Sequence, residues 1–192
     1  YLSVNIFYLD KNPQQCAVEH CDKHVVKMII EYAQLLSTAH RVLDGDLYKE
    51  KSPKGITVKR FKLDDDREQH LYKACHLNHP SAIWTRQSRV QYQWLYLLFE
   101  QCCDQYTKRY GRIHKTQSLA PHLQYSPLNI DSSVPWSDPP PAMPDKYKVP
   151  SDCVQSYRNY YCGDKVAFAR WTSPSEMPTW FINNADLQIQ RQ

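Results

Sequence analysis

Apolar residues recur at helical spacing in two long stretches of the chain. In the first, from about 14 to 42, Val25, Ile29, Tyr32 and Leu36 form one stripe, and at about 100° per residue that spacing predicts an amphipathic helix. A kink or restart is expected near Cys21–Asp22, since the short Asp22 carboxylate can accept from backbone N–H groups left unpaired at a helix start. Gly45 fits the stop. In the second stretch, from about 81 to 110, Ile83, Val90, Trp94, Leu97, Leu98 and Tyr106 recur with the same period. Asn78-His79-Pro80-Ser81 leads in, with Ser81 as cap and Gly111 as stop. A third helix is expected over 151–171, from a Ser151 or Asp152 cap through Tyr157, Tyr160, Tyr161 and Trp171.

The intervening stretches lack this period. Residues 4–9 read as a short buried extended segment, ended by Asp10 to Pro13. Residues 44–68 are charged and poor in large apolar side chains, which predicts an exposed loop with a hairpin around Pro53–Gly55. Eight prolines fall between 117 and 150, so no regular element is expected there. The tail from Ser173 is expected to pack through Pro178, Trp180 and Phe181 and to end in a polar run. No internal repeat occurs. The fold class is therefore mainly α: a single compact domain over 1–192, with about three principal helices and long irregular loops.

Composition narrows the class. A chain of 192 residues with 42% apolar and 12% aromatic content supports one globular core. No run approaches the roughly 18 consecutive apolar residues that cross a bilayer, so a soluble protein without membrane partners is expected. The first ten residues have no basic region, long apolar core or small-residue cleavage site and do not read as a secretory signal. Seven cysteines at irregular spacing, with no CxxC pair, point to free thiols in a reducing compartment. With four glycines and no Walker loop, GxGxxG or GxSxG, a phosphate-cradling nucleotide fold is not expected. Cys21 near His24 is a weak hint of a thiol nucleophile, because such one-turn neighbours arise often by chance.

A net charge of +4 permits a polyanionic partner without requiring one. Basic and aromatic residues alternate in QYTKRYGRIHK at 105–115, YRNYYCGDK at 157–165 and ARW at 169–171. That suits a phosphate backbone beside exposed or flipped bases. It equally suits ordinary amphipathic helices with cations outside and aromatics inside.

The chemistry concentrates on the first helix. His20, His24, Lys27 and Glu31 fall within roughly 60° of one another, on a face separate from the apolar stripe. Grouping titratable residues shifts their pKa values, and a carboxylate beside cations can act as a general base or stabilise a cationic transition state. Three blander readings compete: a solvated face with a Lys27–Glu31 pair, a metal site on His20 and His24 with Glu31 as third ligand, and a satisfied core histidine. Lys27 between the histidines argues against the metal. His76 and His79 lie before the second helix and can approach this patch. Arg86, Arg89, Ser81 and the N–H groups at that helix start can reach a phosphate, though a structural role is as common for any one of them.

The runs VNIF, CDKHVVKMIIEYAQLLSTAH, NHPSAIWTRQS, YTKRYGRIHK, MPDKYK and YRNYYCGDK resemble a set of small phage-encoded proteins of no assigned activity. A more distant likeness is to the phage pyrimidine-dimer DNA glycosylases of the endonuclease V type. Their N-terminal xNL segment is matched by Asn5-Ile6, their Asp-x-His by Asp22-Lys23-His24, and their Glu seven residues on by Glu31. His79 and Trp84 stand where their second long helix begins, and their YYGK resembles Tyr160-Tyr161-Cys162-Gly163-Asp164-Lys165 with two residues inserted. The likeness implies that Glu31 is the carboxylate that stabilises the sugar cation, with His24 against the sugar or phosphate and the base extruded from the duplex. It departs at the nucleophile: that family attacks with the α-amine of a Thr, where this chain has Leu2 after Tyr1. Lys23 or Lys27 is the substitute amine that the sequence offers.

The resulting expectation is a cytoplasmic enzyme (the host cytoplasm, if phage-encoded) that excises or modifies bases in duplex DNA, without cofactor, metal or protein partner. Glu31, His24 and Lys27 would be catalytic. His20, Lys23, His79, Arg86, Arg89, Arg109, His114, Lys115, Tyr157, Arg158 and Lys165 would bind the nucleic acid. The alternatives are a non-catalytic nucleic-acid-binding or virion-associated protein, and an enzyme on a free nucleotide or small phosphorylated metabolite.

Overall fold

The computed structural model describes residues 4–182; Tyr1, Leu2 and the polar run at the end of the tail lie outside them. A buried extended segment leads into α1 (Pro13–Glu19) and α2 (Asp22–Asp44). A hairpin of β1 (Asp46–Lys51) and β2 (Thr57–Lys62) follows, then α3 (Arg67–His70), α4 (Pro80–Gln87) and α5 (Arg89–Tyr110). After these come a 3-10 turn (Lys115–Leu119), α6 (Ala120–Leu123), a second 3-10 turn (Asp145–Tyr147) and α7 (Cys153–Asp164). Three principal helices is thus an undercount. One hydrophobic cluster runs from Val4 through α2, α5 and α7 to Phe181.

The first expected helix restarts at Asp22 as expected, although the cap position is Cys21 and the Asp22 carboxylate makes no capping bond. His20 and Cys21 are both extended, with ψ of 130° and 161°. The break is held from outside: Arg109 of α5 donates to the carbonyls of Val18 (3.0 Å) and His20 (2.8 Å) and pairs with Asp22 at 3.1 Å. Asp22 N–H, which would continue the helix, donates instead to the Arg170 carbonyl at 2.7 Å. His20 therefore closes α1 and is not on the face of α2.

The second expected helix also divides, at extended Ser88. Its hydroxyl donates to the Val134 carbonyl (2.8 Å), while Arg89 N–H donates to that of Asp131 (2.9 Å). His79, not Ser81, caps α4, its Nδ1 accepting from Ser81 N–H at 3.1 Å; the Ser81 hydroxyl is buried and donates to the Val4 carbonyl. The break resets the helical phase, so Ile83, Val90 and Leu97 are 44–45% exposed although the sequence pattern turns them inward. Gln91, Tyr92 and Cys102 take the core positions, beside the expected Leu98 and Tyr106.

Gly111 ends α5 as expected, at φ 70° and ψ 20°. That left-handed conformation carries a steric cost for any Cβ. Gly111→Ala should lower stability by about 1 kcal/mol, a Tm fall of roughly 2–4 °C in a chain of this size, measured by thermal melting.

The third helix is shorter than expected, from the Asp152 cap, which accepts from Gln155 N–H at 3.0 Å, to Asp164. Trp171 lies beyond it and donates to the Glu19 carbonyl. The proline-rich stretch holds helical turns at its two ends, and between them it is irregular but fastened. Asp44 accepts from the N–H groups of Leu128 and Asn129, Gln91 accepts from Ser137, and the Tyr157 hydroxyl donates to the Pro140 carbonyl.

Candidate functional site

Three segments converge on the N-terminal half of α2. Phe7 of the extended segment stacks on His24 with ring centroids 4.1 Å apart and planes at 19°. Tyr161 of α7 bonds His24 Nδ1 through its hydroxyl at 2.5 Å, and that hydroxyl also accepts from Cys21 N–H. Lys165, just past α7, places its ammonium 4.6 Å from the ring centre of Tyr160, 5.8 Å from Phe168 and 6.0 Å from Phe7. Lys23 lies 4.4 Å over Phe168. The product is an aromatic floor in which Phe7 and Tyr160 are buried and Phe168 is half-buried, with Lys23, Lys27 and Lys165 around it.

Electrostatics follow from this crowding. Burial holds the His24 imidazole well below its ordinary pKa, and the charges of His20, Lys165, Lys27 and Lys23 push it the same way. A neutral ring thus underlies three cations. Burial also lowers the Lys165 ammonium; Asp164 and Cys21 oppose this, while Lys27 and Lys23 reinforce it. An amine lowered by desolvation and neighbouring cations has a larger fraction in its nucleophilic form.

Glu31 stands seven residues after His24, about 10 Å along the same helix face. Its side chain is 13% exposed, and Lys27 approaches Oε1 at 3.7 Å. The other oxygen, Oε2, is enclosed with no hydrogen-bond partner. Burial raises this carboxyl above the usual range and Lys27 opposes the rise. An enclosed acceptor without a donor is uncommon in native proteins and calls for an explanation, and Glu19 Oε2 shares the feature.

Of the residues assigned from sequence, the structure groups His24, Lys23, Lys27 and Lys165, with Glu31 two turns on. His24 itself is buried, so it supports the floor and does not offer a ring edge to a phosphate. His20 is a satisfied core histidine: Nδ1–H donates to the Cys16 carbonyl (2.7 Å) and Nε2 accepts from the Tyr32 hydroxyl (2.7 Å). With both nitrogens engaged it has none to share with His24, which removes the two-histidine metal reading. No group of three or more metal-ligating side chains forms among the described residues.

Several proposed nucleic-acid contacts are structural. Arg109 is buried at the α1–α2 break, and Tyr157 is buried against Pro140. Arg158 donates to the Leu9 carbonyl and lies near Asp10 and Glu19. His79 and His114 cap local turns. Arg86 is half-buried and donates to the Leu77 carbonyl, its Nη1 enclosed without a partner. Arg89 and Lys115 remain exposed. The floor residues Phe7 and Phe168 carried no signal in the sequence beyond being apolar, whereas Tyr160, Tyr161 and Lys165 lay in the YYCGDK run.

A cleft of about 650 Å³ opens near the other end of α2, lined by His40, Arg67, Asp65, His122, Tyr125 and Leu128 among others. Its polar groups are largely committed to one another: Arg67 pairs with Asp44 and Asp65 and donates to His40 Nδ1, while His40 Nε2 bonds Tyr92. The lysine-rimmed floor is therefore the stronger candidate. No helix among the described residues is long and apolar enough to cross a membrane. Compared with protein-family models, with curated proteins and with solved structures, the chain matches none of them.

Proposed function

We propose that this protein acts on duplex DNA, excising or modifying a base turned out of the helix, with Glu31 as the working carboxylate. The observation that carries the reading is Glu31 itself: a mostly enclosed carboxyl, one oxygen unpartnered, on the helix that also bears Lys23 and its partner Lys27. The lysines suit a phosphate, and the half-buried ring of Phe168 beside them suits an unstacked base or sugar. A carboxyl raised by burial can protonate a leaving base, or once ionised stabilise positive charge on the sugar.

Lys165 is the best-placed amine, in preference to Lys23 and Lys27, which are more exposed. Uncharged, it attacks C1′ as the glycosidic bond breaks. The base leaves with the bonding electrons and takes the Glu31 proton. As the sugar ring opens, the amine's proton passes to O4′ and an iminium remains.

Glu31→Gln should lower turnover on duplexes with defined lesions by about 100-fold or more, while leaving DNA binding nearly intact. Unchanged turnover overturns the proposal. Borohydride trapping followed by peptide mapping identifies the amine, expected to be Lys165. The second reading, a binding protein without chemistry, is favoured by the burial of His24. Under it Glu31→Gln tightens binding slightly, and no product forms.

A further inference from the structure

The β1–β2 hairpin lies outside the site just described, and its charge is lopsided. Residues 46–62 carry six cations, Lys49, Lys51, Lys54, Lys59, Arg60 and Lys62, against two carboxylates, Asp46 and Glu50. That excess equals the net charge of +4 of the whole chain, so the rest of the protein is balanced.

Register separates the charges between the two faces. Asp46↔Lys62, Tyr48↔Arg60 and Glu50↔Val58 share one face; Leu47↔Phe61, Lys49↔Lys59 and Lys51↔Thr57 share the other. The first face is tied to the body of the protein: Arg60 pairs with Glu50 at 2.9 Å and donates to the Ala74 carbonyl, and Lys73 reaches Glu50 at 3.2 Å. Both carboxylates are thus on that face. The other presents Lys49, Lys51 and Lys59 with no acid, and Lys54 adds a cation at the exposed turn. None of these four lysines is drawn into an ion pair among the described residues.

Lys49 directly opposite Lys59 is a costly choice for an isolated hairpin, because like charges facing across strands repel. A polyanion laid against the face removes that cost. Lysines on an open-edged hairpin also discourage edge-to-edge pairing, but that role does not require two of them face to face.

We infer that this ribbon is a second DNA-contacting surface, which enters the major groove and sets Lys49, Lys51, Lys54 and Lys59 against the phosphates. The inference rests on the reading that the substrate is DNA and names a surface that reading does not use. Two strands of six residues are about 20 Å long, and the B-DNA major groove, about 12 Å wide, admits a two-stranded ribbon. The A-form major groove is too narrow, so duplex RNA is the poorer fit. The acidic run Asp64-Asp65-Asp66 at the foot of the hairpin restricts contact to its outer part.

The test is fluorescence anisotropy with the full chain and a short duplex DNA across a salt series. Lys49→Gln/Lys59→Gln should weaken binding about tenfold at low salt and flatten the log–log salt slope by roughly two, near 0.9 for each phosphate no longer neutralised. Its melting temperature should hold or rise, which excludes unfolding as the cause. An equal loss in the control Lys108→Gln/Lys148→Gln would make the effect one of total charge and overturn the inference. So would lysine-dependent binding of duplex RNA or of anionic vesicles at equal or greater strength. Wild-type binding with an unchanged hairpin variant overturns this inference alone; failure of the wild type to bind duplex DNA overturns it together with the proposed function.

Discussion

Acidification is expected to unfold the protein cooperatively by about pH 4, with close to three protons taken up per molecule that unfolds. Burial lowers His20 and His40 to about 4 and His24 well below its ordinary value. In the unfolded chain each returns to about 6.5. Between those limits the unfolded state binds protons that the folded state does not, so stability falls as pH falls through 6.5 and levels off below the folded values. Each histidine contributes about 1.4 kcal/mol per pH unit in that window. Three together rival, within two to three pH units, the roughly 5–15 kcal/mol that holds a typical domain folded. Glu19 and Glu31, raised by burial, work in the opposite sense, and the stability they withhold at neutral pH returns as pH drops. Urea midpoints measured from pH 7 to pH 4.5 give the proton uptake directly. An uptake below one proton would show that the three imidazoles are not the controlling groups.

Arg109→Ala is expected to cost about 3–5 kcal/mol, as removal of one partner from a buried charged network does. The Arg109 side chain is fully buried, and its guanidinium serves the carbonyls of Val18 and His20, the carboxylate of Asp22, the Ser175 hydroxyl and Gln105. Without it the His20 carbonyl loses its donor, and the Val18 carbonyl and the Asp22 carboxylate keep only Ser175 and Thr172, with no cation left at the helix break. Lysine should not rescue, because one ammonium cannot span partners arranged around a planar fork. Denaturant unfolding measures the loss; a change under 1 kcal/mol would mean that the break is held some other way.

This arginine also shows what the sequence could reveal and what it could not. The amphipathic face of α2, the Gly111 stop, the Asp152 cap and the hairpin at Pro53–Gly55 depend on residues a few positions apart, and each was legible. The break at His20–Cys21 was announced by Asp22, but the groups that hold it, Arg109 and Arg170, and those that hold the break at Ser88, Asp131 and Val134, lie roughly 40 to 150 positions away, and no local pattern announces the second break. The site divides in the same way. Lys27 and Glu31 were visible through their i, i+4 spacing and Lys165 through its tyrosine-rich run. Arg109, Arg158 and Tyr157 sit in runs of the same composition yet serve the interior, because alternation of cations and rings describes a buried bracket as well as an exposed one. Phe7 is the core residue that its apolar neighbours predict, and its stacking on His24 is what the segment alone does not show.

The proline-rich stretch between α6 and α7 has one more consequence. Its bonds to Asp44, Gln91 and Tyr157 come from three separate helices, so its docked path requires all three to be in place. Prolines at 127, 135, 139, 140, 141 and 144 restrict the freedom of this segment before it docks. Little conformational entropy is therefore left to lose on docking, and a few scattered hydrogen bonds suffice where a flexible loop would need many. A segment without repeating structure is in this way fastened to the helices that it crosses.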